Sequence, residues 1–167
     1  MLAIIIAISL SALSLNPAAA TDKSNPYGTS TIDPAGPNDI IFSITKGKVR
    51  FTYTTAQLNK LKTSDISLYE PFLKVRQRFS VISMQYFLKK IGASGSDKVF
   101  TNALNDYIYE NTATKFIQAN AFIAVKRNGQ AIPYDQGGPI RIVFADNSTW
   151  AKNLDAWNWS LSSITVK

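Results

Sequence analysis

The sequence predicts an α+β domain built from many short strands and two or three short helices. Three observations carry that expectation. Short apolar runs alternate with polar residues at a period of two, one stretch repeats at clear helical spacing, and turn residues separate the runs. The 167 residues amount to one domain's worth of sequence.

Residues 1–20 carry no charged side chain and read as a signal peptide. Residues 2–15 are almost unbroken apolar sequence, Asn16 and Pro17 break the run, and Ala18, Ala19 and Ala20 supply the small residues of a cleavage site. A membrane-spanning helix needs roughly 20 apolar residues, so an exported, periplasmic protein is the expectation, with an uncleaved anchor as the alternative. Residues 21–39, rich in Pro, Gly, Ser, Thr, Asn and Asp, read as a flexible leader to a domain over residues 40–167.

Within that domain residues 40–44 form an apolar strand ended by Lys46 and Gly47. Val49, Phe51 and Tyr53 then alternate with polar residues as a half-buried strand. Thr54 or Thr55 caps a short helix that buries Leu58 and Leu61, and Ile66 and Leu68 alternate in a strand that Pro71 stops. Met84, Phe87, Leu88 and Ile91 recur at helical spacing behind Ser83 as N-cap, with Gly92 placed to end the helix. Residues 99–103 and 107–109 read as strands flanking Asn105 and Asp106. Residues 121–126 form another strand, and Asn128-Gly129 signals a tight hairpin into residues 130–132. Gly137, Gly138 and Pro139 introduce the apolar strand 140–144. Trp150, Trp157 and Trp159 precede a closing strand with Leu161, Ile164 and Val166.

The formal net charge is +7, from eighteen basic and eleven acidic residues. The basic residues are scattered, which argues against nucleic acid. Two triplets, Lys46, Lys48, Arg50 and Lys74, Arg76, Arg78, would each line one face of a strand at period two. Each reads as a solvated face or as an electropositive patch towards a partner, and the second triplet is the partner-facing candidate. The chain contains no Cys and no His. That removes thiolate nucleophiles, Cys-ligated metals, imidazole bases and the usual zinc and haem sites. Asp, Glu, Lys and Tyr still move protons, yet the balance points to binding and to no enzyme activity.

Four segments carry a family resemblance. Residues 79–93 resemble the F-x-G-V-x-L-x-x-L-L-x-x-x-G-A segment of oxidoreductase molybdopterin-binding domains, the sulfite-oxidase fold. Ala103, Leu104, Asn105, Asp106 and Tyr107 match the A-x-N-D-Y signature of its small exported members. Residues 125–144 resemble their N-G…G-P stretch, and residues 159–166 their closing W-x-L-x-x-I-x-V. The resemblance covers about residues 40–167 in consistent order and implies short strands in coiled sheets around a pterin pocket. The family's metal-ligating cysteine would follow the strand ending near Leu68, Tyr69, Glu70, Pro71 and Phe72, where this chain has none. A hydroxyl or carboxylate does not simply replace that soft ligand. The resemblance therefore implies an unmetallated pterin as ligand, no metal cofactor, and a role like that of small exported pterin-binding proteins, which report to membrane-bound cyclic-di-GMP enzymes. The alternatives are a molybdopterin-dependent oxidoreductase or redox subunit lacking the cysteine ligand, and a purely structural adaptor.

A pterin offers a flat ring and a donor-rich edge, so an acceptor and aromatic walls are its natural partners. Asp106 is the acceptor candidate, flanked by Asn105 and Tyr107, and ordinary turn chemistry is the competing reading of all three. Trp150 and Trp157 are stacking candidates, whereas Trp159 reads as core. Phe72 falls where the relatives carry the metal-ligating loop. Arg141 is either a donor to the ligand's carbonyl edge or a solvent-facing edge residue.

Overall fold

Period-two alternation resolves into two sheets in the computed structural model, which describes residues 30–61 and 64–167. Strands β1 (Ile40–Lys46) and β2 (Val49–Thr54) form a hairpin, followed by helix α1 (Thr55–Lys60). Strands β3 (Ser64–Glu70) and β4 (Val75–Ser83) form a second hairpin leading into α2 (Met84–Lys90). Next come β5 (Lys98–Ala103), β6 (Ile108–Thr112), α3 (Ala113–Gln118), β7 (Phe122–Arg127), β8 (Arg141–Val143) and β9 (Leu161–Val166). The five-stranded sheet runs β2-β1-β9-β5-β6 and the four-stranded sheet β3-β4-β7-β8. Among the described residues only the β1–β9 pairing is parallel.

Local chemistry explains the helix starts. Thr54 accepts from the Gln57 amide while Gln57 returns a bond to the Thr54 amide, a reciprocal cap that satisfies two otherwise orphaned donors. Ser83 precedes α2 without such a bond, and Gly92 follows it at φ +70°. Met84, Phe87 and Leu88 are buried as their spacing predicts, and Phe87 packs edge-on against Phe42 and Tyr53. The expected short-strand α+β architecture is the one observed.

Several boundaries are corrected. The leader was expected to run to Asp39, yet residues 30–39 lie on the domain. The opening amides of α1 need acceptors, and Ala56 and Thr55 donate to the carbonyls of Pro37 and Asp39. Ser30 and Thr31 bond the Asp135 carboxylate, and Ala35 packs on the core. The first basic triplet does not share a strand face. Lys46 ends β1, Gly47 turns at φ +56°, and Lys48 sits in the turn. Lys74 likewise lies in a turn, at φ +56°, so only Arg76 and Arg78 of the second triplet share a face of β4. After Asn128-Gly129 the second hairpin arm shrinks to a single bridge between Arg127 and Gln130. The expected signal peptide over residues 1–20 and residues 21–29 fall outside the described residues. Among the described residues no helix is long and apolar enough to cross a membrane.

Candidate functional site

The site is organised by the turn that follows β3. Glu70 ends that strand fully buried, and its carboxylate accepts from the Leu73 amide at 2.7 Å and from Arg141 Nη2 at 3.0 Å. The Glu70 carbonyl also accepts from the Lys74 amide at 2.8 Å. One side chain thus fixes the turn and presents Phe72 outward. The Arg141 guanidinium lies 4.0 Å from the centroid of the Trp159 ring, and Phe72 meets the same ring edge-on at 5.0 Å. Gly137, at φ +83°, makes room for this stack: a Cβ there would come within 3.0 Å of the Trp159 ring and 3.3 Å of the guanidinium.

Phe72 forms one wall of an open cleft of about 430 Å³. The turn between β5 and β6 contributes Asn105 and Tyr107, and the loop before β9 contributes Leu154, Asp155, Trp157 and Trp159. The cleft therefore lies where turns from both sheets converge. Its volume falls within the roughly 300–1,000 Å³ usual for small-molecule sites. The Tyr107 hydroxyl donates to the Asp155 carbonyl at 2.8 Å, tying two walls together. Burial and the nearby Asp155 charge push that phenol's pKa up, so it stays a neutral donor. Trp157 is 3% exposed, and its indole N–H finds no acceptor among the described residues. A buried donor left unpaired costs stability.

Four of the residues singled out from the sequence meet here: Phe72, Asn105, Tyr107 and Trp157. The other three lie elsewhere. Asp106 is exposed at φ +65° in the β5–β6 turn and is not among the residues lining the cleft. Trp150 packs edge-on against Tyr109, Phe116 and Phe144, in a cluster away from the cleft. Arg141 is neither a solvent-facing edge residue nor a wall, because pairing with Glu70 holds it inside the fold. Asp155 is a lining carboxylate that sequence reasoning missed. Its signal was present, an acid between two tryptophans in a loop. Trp159 joins the cleft as well, although its alternation with Leu161 suggested core.

The partner-facing candidates are accounted for differently. Arg76 pairs with Asp146 at 2.7 Å, and Arg78 pairs with Asp65. The Tyr69 amide and then Arg76 hold Asp146 below the usual carboxylate range. Lys74 is exposed.

Fold and cleft together define a small α+β domain with one aromatic, partly polar cleft between two sheets. Over residues 46–159 the chain matches the oxidoreductase molybdopterin binding domain family, and it belongs to that family. No curated protein matches it.

The family implies a molybdopterin, and the donor set here does not fit a thiolate-held metal. The chain contains no cysteine, and the carboxylate nearest the ligating position, Glu70, is buried and engaged by Arg141 and the Leu73 amide. Among the described residues no group of His, Cys, Asp or Glu is arranged to hold a metal ion.

Proposed function

We propose that this chain is a non-enzymatic periplasmic protein that binds an unmetallated pterin and relays its presence to an inner-membrane partner, such as a cyclic-di-GMP enzyme. The observation that carries the reading is the cleft walled by Phe72, Trp157 and Trp159 in a domain of the molybdopterin-binding family without a cysteine. Aromatic walls suit both faces of a flat bicyclic ring. The donor-rich edge of a pterin faces the Asn105 amide oxygen and the Asp155 carboxylate, which takes the acceptor role first assigned to Asp106. The Trp157 N–H, buried without an acceptor among the described residues, meets the ring's carbonyl or ring-nitrogen side.

Export rests on the apolar opening of the chain, and the relay on the resemblance to small exported pterin-binding proteins. The test is mass spectrometry and fluorescence of whatever small molecule co-purifies with protein isolated from its native compartment, beside metal analysis. A pterin without molybdenum is the expected result. Stoichiometric molybdenum overturns the reading in favour of a molybdopterin-dependent redox protein.

A further inference from the structure

A second pocket, sharing no residue with the aromatic cleft, opens beside β2. It encloses about 320 Å³, and Phe51, Tyr53, Gln57, Lys60, Leu61 and Lys90 surround it. β2 is an edge of the five-stranded sheet, paired only with β1. An unpaired edge exposes a row of backbone donors and acceptors, a template for another strand unless it is blunted.

The segments that line this pocket carry basic and no acidic residues. Residues 40–61 contain no Asp or Glu, and neither do residues 71–96, which include α2. Lys46 is neutralised by Asp97 at 2.6 Å. Arg50, Lys60 and Lys90 have no ion-pair partner among the described residues. Lys90 instead sits among rings, 5.1 Å from the Phe51 centroid, 5.5 Å from Tyr53 and 6.0 Å from Tyr86. Such contacts orient an ammonium over an apolar floor and leave its charge available to an anion. Tyr53, 6% exposed, forms part of that floor beneath the Lys90 ammonium. Burial pushes the Tyr53 phenol's pKa up, against the lowering effect of Lys90. The contrast with β4 is direct. There Arg76 and Arg78 are each occupied by an aspartate of the same chain.

We propose that the β2 edge with its lysine-rimmed pocket is a docking site for an extended acidic segment of a partner protein. The segment adds as a strand beside β2, and one of its carboxylates enters between Lys60 and Lys90. Backbone pairing gives such an interface affinity, and the pocket selects the side chain. The surface stands independently of the pterin reading, so either can fail without the other.

The test uses the mature protein and a short synthetic peptide alternating glutamate with valine, with a lysine-for-glutamate counterpart and free glutarate as comparisons. Amide chemical shifts locate binding, and titration measures it. The acidic peptide is expected to move the resonances of Val49–Thr54, and Lys60→Glu with Lys90→Glu is expected to weaken it by about tenfold or more. Lys115→Glu with Lys152→Glu makes the same charge change on exposed lysines outside the pocket and should leave affinity nearly unchanged. If the double reversal fails to fold, Lys90→Gln gives the same reading with a smaller loss. Absence of shifts along β2, equal binding of the lysine peptide, or equal losses in the control pair would each overturn the proposal. Shifts reproduced by glutarate alone would make the pocket a small-acid site and overturn strand docking. Unchanged pterin affinity in the double reversal keeps the two sites separate.

Discussion

Arg141 Nη2 lies 3.0 Å from Glu70 Oε1 although β8 and β3 are the two opposite edges of the four-stranded sheet. In a flat sheet, edges three strand spacings apart would be roughly 14 Å away from each other. The inner face therefore curls around the pair, and Trp159 closes over it. The same carboxylate holds the turn that carries Phe72, so the pair links the curvature of a sheet to a wall of the cleft.

Both side chains of the pair are fully buried, so removing the carboxylate takes an opposite charge away from the guanidinium inside the fold. Glu70→Gln is expected to lower stability by about 3–5 kcal/mol, read from urea denaturation. Replacing both, with Glu70→Leu and Arg141→Met, should recover much of that loss, since a buried pair is often no better than an apolar substitute. A Glu70→Gln protein as stable as the parent would mean that the guanidinium is satisfied without this carboxylate.

Arg141 also shows why the sequence alone misplaces a residue. Its ion-pair partner is 71 positions away, and no local pattern announces a contact of that separation. Strands such as β2 and helix α2 were legible because burial on one face leaves a period in the sequence, whereas β1 and β8, buried on both faces, were legible as short apolar runs and β4 was hinted at only by its basic triplet. Helix α3 was not foreseen. It has six residues, buries only Ala113 and Phe116, and starts from the Thr112 cap, too little to set a periodicity apart from a strand's. The first basic triplet failed for a readable reason. Gly47, already marked as ending a strand, breaks the alternation that the triplet needed. Four of seven cleft candidates met because family-like turns keep their place in a fold, whereas Asp155 and not Asp106 is among the lining residues.

Acid sensitivity should concentrate on Asp97. Hydrogen bonds from Lys46 and then Ser94 lower its pKa from the ordinary 3.8 to about 2. A carboxyl depressed in the folded state contributes stability that is fully present above its unfolded value and lost as pH falls through its folded one. The window is therefore from about pH 4 down to about pH 2. Asp97→Asn should flatten the fall in stability across that window and cost stability near neutrality, measured as Tm against pH. An unchanged acid limb in Asp97→Asn would assign the effect to other carboxylates.

Asp106 tests turn against ligand. At φ +65° it occupies the left-handed region that Asp and Asn tolerate and Ala does not. Asp106→Ala should cost about 1 kcal/mol of stability, while Asp106→Gly and Asp106→Asn should cost less. Pterin affinity per folded molecule should be the same in all three, because the carboxylate does not line the cleft. A calorimetric titration beside each melting curve separates the two effects. An affinity loss in Asp106→Asn would return this residue to the site.

The tryptophans give the sharpest comparison, because two of them separate packing from recognition. Trp150 is wedged edge-on among Tyr109, Phe116 and Phe144. Trp150→Ala removes those ring contacts and should cost about 3–5 kcal/mol of stability, with pterin affinity preserved in whatever fraction folds. Trp157 also packs against Phe144, at 5.6 Å, but it carries a buried N–H with no acceptor among the described residues and it lines the cleft. Trp157→Phe keeps an aromatic ring and deletes that unpaired donor, so stability should fall little. If the N–H bonds the ligand, the same substitution removes one hydrogen bond from a desolvated site, about 1–3 kcal/mol or roughly 5- to 150-fold in affinity. Asp155→Asn should weaken binding by a comparable factor, since it replaces one of two acceptor oxygens facing the donor edge with a donor. Pterin should quench indole emission in the parent and in Trp150→Phe, and less in Trp157→Phe. Equal affinity and equal quenching in all three proteins would remove Trp157 from the site and leave the cleft without its donor.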